Sequence, residues 1–240
     1  MGKHSLSSVI FFKDLPEDSL AALEHRCILK PFKANEQVVG HLEDSTDVYF
    51  VISGKLRAII YSVSGKTIAL RNIGAGEIFG EFAAIDGQPR SASIEAMANS
   101  LVARMPAALF WETVTQQPQF ARAIMRHLVR QTRALTDRVF EFSTLAVNNR
   151  VHAELLRMAL EGQVEGNTAR IEQLPTHSEI ASRISTHREA VTRELNRINN
   201  LGLTRRKGSA LIIANLKQLT GMVIDATGEM NMVVPNIDEQ

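Results

Sequence analysis

PTHSEIASRISTHREAVTRELNRINNLGLTRRKGSALIIANLKQL, residues 175–219, packs two short helical patterns and a basic hairpin into one stretch. Thr176-His177-Ser178-Glu179 has the spacing of a capping box, in which a hydroxyl and a carboxylate satisfy backbone N–H groups at a helix start. Ile180, Ala181 and Ile184 give that helix its inner face. Ser185-Thr186 breaks the period and opens a second helix, His187 to about Asn199, with Val191, Leu195 and Ile198 inward. The small Ala181 allows a close crossing. Two short helices joined by a tight turn predict a helix-turn-helix. Gly202 then turns the chain into a strand, Arg205-Arg206-Lys207 and Gly208 make a basic tip, and a second strand returns. Together they form a winged helix.

With Val191 and Leu195 buried, Arg188, Glu189, Thr192 and Arg193 face outward. Arginine donates bidentately to guanine O6 and N7, and glutamate accepts from cytosine N4. Thr176, Ser178, Thr186 and His187 stand at helix starts, where hydroxyls and free N–H groups meet phosphates. An arginine-rich face on an isolated helix is usually only solvated. In register with a cap, a turn and a basic wing, it points to DNA.

Upstream, VHAELLRMALEG (151–162) is a helix ended by Gly162, and VEGNTARIEQ reads as a small hairpin. Between Gln119 and Ala146 there is no Gly or Pro, and apolar residues recur at 124, 128, 135, 139, 142 and 145. That is a heptad-like seam. A helix of 28 residues extends about 42 Å at 1.5 Å per residue, too long for one small β-domain to cover, so a dimer interface is expected. Asn148-Asn149 marks the expected break. From Leu29 to Met105 the pattern changes to short β-type runs: VYFVIS (48–53), KLRAIIYS (55–62), KTIALRNI (66–73) and SLVARM (100–105), separated by Gly54, Ser64-Gly65, Gly74/Gly76 and Asp86-Gly87. Their spacing predicts a small antiparallel barrel or sandwich. LPEDSLAALEHR (15–26) predicts a short N-terminal helix.

The 240 residues are 45% hydrophobic and 22% charged, ordinary for a globular protein, and the net charge of +1 leaves any basic surface local. The one cysteine, Cys27, excludes a disulfide framework and thiolate clusters, including an iron–sulfur centre. The N-terminal apolar run is too short for a signal-peptide core, and no run reaches the ~18 residues of a membrane span. A cytoplasmic protein without a membrane partner is expected. The seven histidines, at 4, 25, 41, 127, 152, 177 and 187, form no metal-binding cluster in the strands, and no nucleophile–base arrangement stands out. The chain reads as a binding protein rather than an enzyme, with no metal. A haem sensor using His41 or the N-terminus is a minor alternative.

FGEFAAIDGQPRSAS (79–93) places Glu81 and Arg90 nine residues apart among small residues. The two charges either neutralise each other or hold two ends of one phosphate-bearing ligand.

Taken together, Gly80-Glu81-Phe82-Ala83, Pro89-Arg90-Ser91-Ala92 and the downstream Arg188-Glu189-x-Val191-x-Arg193 resemble the catabolite activator and fumarate-nitrate regulator superfamily of bacterial transcription factors, nearest its cyclic-AMP receptor branch. The resemblance spans about residues 8–218. It implies an α+β chain: an antiparallel, jelly-roll-like β-roll that binds cyclic nucleotide (1–118), a dimerisation helix (119–146), a winged helix-turn-helix (147–220) and a tail (221–240). It implies that Arg90 pairs with the cyclic phosphate, that Ser91 donates to phosphate or base, that Gly80 and Ala92 bring backbone amides close with Phe82 and Ala83 beside them, and that Glu81 takes the ribose 2′-hydroxyl. Ile73, Ile78 and Ile85 would pack near the pocket. Leu135 and Thr136 match the purine-contacting Thr-Ser pair; the leucine is a departure that opens the site to cyclic GMP as well as cyclic AMP. Thr132, one turn earlier, is a further candidate. Arg188, Glu189 and Arg193 match the base-reading positions for a TGTGA-type palindrome. Thr176, His177, Ser178, Thr186, His187, Arg205 and Arg206 would meet the DNA backbone. A homodimer working with RNA polymerase follows from the same resemblance.

Overall fold

The computed structural model describes residues 5–61 and 67–228. The expected Ser64-Gly65 turn, with Ser62 and Lys66 of the two runs beside it, lies outside the described residues. The chain divides into two compact units, Met1–Gln131 and Thr132–Gln240.

In the first unit, α1 (Glu17–Arg26) starts behind Pro16, with acids in its first turn and His25 and Arg26 in its last. This charge order complements the helix dipole. The strands β1 (Ile28–Phe32), β2 (Gln37–Val39), β3 (Val48–Ser53), β4 (Lys55–Tyr61), β5 (Thr67–Gly74) and β6 (Ile78–Phe79) follow. Helix α2 (Glu81–Asp86), β7 (Ser93–Ala96), β8 (Ser100–Met105), α3 (Ala107–Gln116) and α4 (Pro118–Thr144) come next. The strands form two antiparallel four-stranded sheets, β1-β8-β3-β6 and β2-β7-β4-β5. Together they make the β-roll.

VYFVIS is apolar throughout because β3 is buried on both faces. Tyr49 and Val51 join Leu56, Ala58, Ile73, Ile94 and Val102 in one cluster. Val48, Phe50 and Ile52 join Phe11, Phe12, Phe110 and Phe120 in another. There the Phe12 ring lies 4.7 Å from Phe50 and stacks on Phe120 at 5.3 Å, which fixes the start of α4 against the sheet.

The second unit contains α5 (Val147–Glu161), β9 (Gln163–Glu165), β10 (Thr168–Ile171), α6 (His177–Arg183), α7 (Arg188–Asn200), β11 (Thr204–Lys207), β12 (Ala210–Ile213) and α8 (Leu216–Thr227). The 163–171 hairpin and the wing share one sheet, in the order β11-β12-β10-β9. Val151, Leu155 and Leu156 of α5, Ile180 and Ala181 of α6, and Val191, Leu195 and Ile198 of α7 close a single core over it.

Several boundaries differ from the sequence expectation. The break after α4 falls at Leu145-Ala146, where Ala146 is extended (φ −62°, ψ 156°); Asn148 and Asn149 lie in the first turn of α5. The seam is also redistributed. Ile124 is buried and Leu128 packs against the same core, whereas Met125, Val129, Leu135, Val139 and Phe142 are exposed. The N-terminal part of α4 spends its Ile-Leu face on its own domain. Helix α3 was unexpected, because AALFWETVTQ carries Phe, Trp, Val and Thr in a strand-like mix. The 221–240 tail is helical to Thr227, and residues 229–240 lie outside the described residues.

In the turn between α6 and α7, Ser185 has φ 52°. A left-handed conformation costs a non-glycine residue about 1–2 kcal/mol, part of which glycine returns as unfolded-chain entropy. Ser185→Gly is therefore expected to raise stability by about 0.5–1 kcal/mol, read as a higher urea midpoint without loss of helix signal.

Candidate functional site

Gly80 (φ 81°, ψ 2°) ends β6 and caps α2. A Cβ there would lie 2.6 Å from Arg90 Nη1 and 2.9 Å from the Asp47 carbonyl. The glycine thus admits the Arg90 side chain. Arg90, 3% exposed as a residue, donates from Nε to Ser45 Oγ at 2.9 Å, from Nη1 to the Gly80 carbonyl at 2.9 Å and from Nη2 to the Asp47 carbonyl at 2.8 Å. It also lies over the Tyr49 ring at 5.7 Å. The loop before β3 is hooked to the same residue: Leu42 N–H donates to the Arg90 carbonyl, and Arg90 N–H donates to that of Glu43. Burial draws the Arg90 guanidinium below its ordinary value, while Tyr49, Glu43, Asp47 and Glu81 pull it back.

Glu81 is equally buried, but its carboxylate faces His127 of α4, with Oε1 3.4 Å from Nε2. The described ion pairs do not join Glu81 to Arg90. The first of the two sequence readings, mutual neutralisation, therefore does not describe this site. Arg90 is a buried cation on neutral acceptors, and Glu81 is a buried carboxylate opposite an imidazole whose Nε2 has no hydrogen-bond partner among the described residues. A site of this kind favours an anion beside Arg90 and a hydroxyl donor beside Glu81.

The neighbours are distributed unevenly. Ala83 and Ala92 are buried, Ser91 is exposed and Phe82 is 43% exposed. Ile73 and Ile78 belong to the two cores, whereas Ile85 is exposed rather than packed. Leu135 and Thr136 lie on the stretch of α4 in the second unit; Leu135 is exposed, and the Thr136 hydroxyl donates to the Thr132 carbonyl. Sequence reasoning missed Ser45, Asp47 and His127. Only His127 carried a signal, three residues after Ile124 and seven after Phe120 on an inward helix face.

In the second unit the capping box forms as expected: Thr176 Oγ1 accepts from Glu179 N–H, and Thr176 N–H donates to Glu179 Oε2 at 2.8 Å. Ser178 lies in that first turn, and Thr186 precedes His187, the N-cap of α7. Arg188, Glu189, Thr192, Arg193 and Asn196 line one shallow depression. Asn196 was missed, although it lies one turn beyond Thr192. Arg188, Arg193, Arg205 and Arg206 are exposed, and none has a carboxylate partner among the described residues. The opposite face of α7 is satisfied: Glu194 accepts from Arg197 and lies 2.5 Å from His152 Nε2. His177 Nδ1 meets Thr192 Oγ1 at 2.7 Å, and the Thr192 hydroxyl donates to the Arg188 carbonyl. The single hydroxyl hydrogen is then spent, so Nδ1 carries the His177 hydrogen and Nε2 is left as an acceptor. Burial first, then Arg206 and Arg188, hold the His177 pKa below its ordinary value.

Gly80→Ala is expected to destabilise the first unit at least twice as much as Gly87→Ala. Gly87 also has positive φ but opens onto free space, so its substitution costs about 1–2 kcal/mol of backbone strain alone. Urea unfolding of the two variants checks the difference.

The cyclic nucleotide-binding domain family matches residues 29–117, and the Crp-like helix-turn-helix domain family matches residues 149–222. The CRP-like cAMP-activated global transcriptional regulator of Mycobacterium tuberculosis is 24% identical over 209 residues, covering 87% of this chain and 93% of the relative. The cAMP-activated global transcriptional regulator CRP of Haemophilus influenzae is 23% identical over 188 residues, covering 78% and 84%. A mutant of CooA from Carboxydothermus hydrogenoformans shares the fold with a TM-score of 0.78 at 18% identity, covering 92% of this chain and 98% of that one. FixK2 from Bradyrhizobium japonicum does so with a TM-score of 0.72 at 20% identity, covering 82% and 96%. With a nucleotide-binding β-roll, a long helix and a Crp-like helix-turn-helix in that order, the chain belongs to the catabolite activator and fumarate-nitrate regulator superfamily, as a cyclic-nucleotide-binding, DNA-binding transcription regulator.

Proposed function

We propose that this regulator takes cyclic AMP in its β-roll, with cyclic GMP as a second candidate, and reads a TGTGA-type palindrome as a homodimer. The observation that carries the reading is Arg90, a buried guanidinium held by neutral oxygens while Glu81 turns elsewhere. In this reading Arg90 receives the cyclic phosphate with Ser91 and the amides around Gly80 and Ala92, and Glu81 accepts from the ribose 2′-hydroxyl. The Thr136 hydroxyl, spent on Thr132, offers a lone pair suited to the amino group of adenine. Arg188, Glu189 and Arg193 read bases, and the wing arginines and the starts of α6 and α7 meet phosphates. The exposed apolar stripe from Met125 to Phe142 supports dimerisation through α4. The protein works in the cytoplasm with RNA polymerase, by binding rather than catalysis, and holds no metal. The nucleotide acts through its preference for the DNA-competent state.

Calorimetric titration with cyclic AMP and cyclic GMP tests the reading. Arg90→Ala should weaken micromolar binding at least about tenfold, because a charge-assisted contact to phosphate is lost. If wild-type protein binds neither nucleotide, the Arg90 cluster is structural only and the signal lies elsewhere.

His177 adds a pH dependence. Its lowered pKa keeps it neutral at pH 7.5, with Nε2 unable to donate to a phosphate. Falling pH adds that hydrogen, and a bound phosphate favours the charged form, so DNA affinity should rise from pH 8 towards pH 6 with proton uptake. The slope of log affinity against pH should be shallower in His177→Gln by up to about one proton.

A further inference from the structure

We propose that Arg138 is a positioning residue that ties the C-terminal part of α4 to the last turn of α6 and makes the set of the reading helix depend on α4. The inference rests on the reading of this chain as a nucleotide-responsive regulator and adds the point at which the response reaches the DNA-binding helices.

The observation is a cluster with more cations than its carboxylates need. The side chains of Glu141 on α4 and Glu154 on α5 are 2% and 3% exposed. Arg157 grips Glu141 with two bonds, at 2.5 and 3.1 Å, and also reaches Glu154 at 3.1 Å. Arg183, the last residue of α6, donates to Glu154 at 3.0 Å. Two arginines thus already neutralise two carboxylates and supply their donors. Arg138 is a third cation on the same site, 3.6 Å from Glu154 and donating through Nη1 to the backbone carbonyl of Arg183.

A surplus cation here is unfavourable by itself. Burial pulls the Arg138 guanidinium below its ordinary value, and Arg157 and Arg183 push in the same direction, against Glu154 and Glu141. Charge balance does not explain it, since removing Arg138 leaves the cluster neutral. What Arg138 adds is a bond from α4 to a carbonyl at the C-terminus of α6, one of the four that a helix leaves without an internal partner. After Arg183 the chain passes through Ile184 and the left-handed Ser185 into α7 within a few residues. Holding the end of α6 therefore holds the start of α7. A one-residue shift in the helical register of α4 would turn Arg138 by about 100° and move it about 1.5 Å, off the carbonyl and off Glu154.

The test uses the full-length protein, cyclic AMP, and a fluorescent duplex carrying the TGTGA palindrome. DNA affinity is measured with and without saturating nucleotide, and nucleotide affinity is measured separately. Arg138→Met should bind cyclic AMP within about twofold of wild type, while its ratio of DNA affinities with and without nucleotide falls to within about threefold of one. Arg138→Lys keeps the charge without the planar fork and should give an intermediate ratio. If Arg138→Met lowers both DNA affinities by a common factor and keeps the wild-type ratio, Arg138 is merely structural and the proposal is wrong. If the methionine variant does not fold, a wild-type ratio in Arg138→Lys overturns the proposal equally. A wild-type protein whose DNA affinity ignores cyclic AMP overturns the regulator reading together with this one, a result distinct from a responsive wild type with an unaltered variant ratio.

Discussion

A guanidinium does not give up its proton inside a protein, so an arginine taken from water is costly unless acceptors meet it. Two buried clusters of this chain meet that demand, and a third group of arginines is left in water. In the β-roll, Arg90 is met by neutral oxygens from Ser45, Gly80 and Asp47. In the second unit, Arg157 and Arg183 are met by buried Glu141 and Glu154. On the outer face of α7 and on the wing, Arg188, Arg193, Arg205 and Arg206 are exposed and have no described carboxylate partner. The net charge of +1 conceals this arrangement. Positive charge is balanced in total and unbalanced locally.

The first of these sites is built before any ligand enters. Glycine at position 80 gives Arg90 its space, the 42–47 loop closes over it through backbone bonds to Leu42 and Glu43, and the Tyr49 ring supports it from the sheet. The ordering is completed during folding, so the anion proposed to bind there would not have to supply it. Glu81 and His127 are a different case. They face each other at 3.4 Å with an unsatisfied imidazole nitrogen, a contact loose enough for a hydroxyl to alter.

Helix α7 shows how one short helix serves two demands. Val191, Leu195 and Ile198 anchor it in the core, and Glu194 is fixed by His152 and Arg197. On its other face Thr192 meets His177, while Arg188 and Arg193 have no carboxylate partner among the described residues. Rigidity on one face makes exposed, unpaired arginines on the other tolerable, because their rotamers alone remain to be ordered on binding.

What the sequence determined by itself is what is encoded within a few residues: the capping box at Thr176, the inward period of α7, the β-type run of β3 and the basic wing. Each depends on local backbone geometry or on a short period, so neighbouring residue types suffice. What only the tertiary structure decided is which distant groups meet. Nothing near Arg90 in sequence announces Ser45 or Asp47, and nothing near Glu81 announces His127. Nor does the period of α4 say that Ile124 and Leu128 turn into the domain core while Met125 and Val129 stay outside. The 163–171 hairpin could not be assigned to the wing sheet before the chain had returned to it. Charges and strand edges choose partners by distance after the chain has folded back on itself, and that distance is not written in any short stretch of residues.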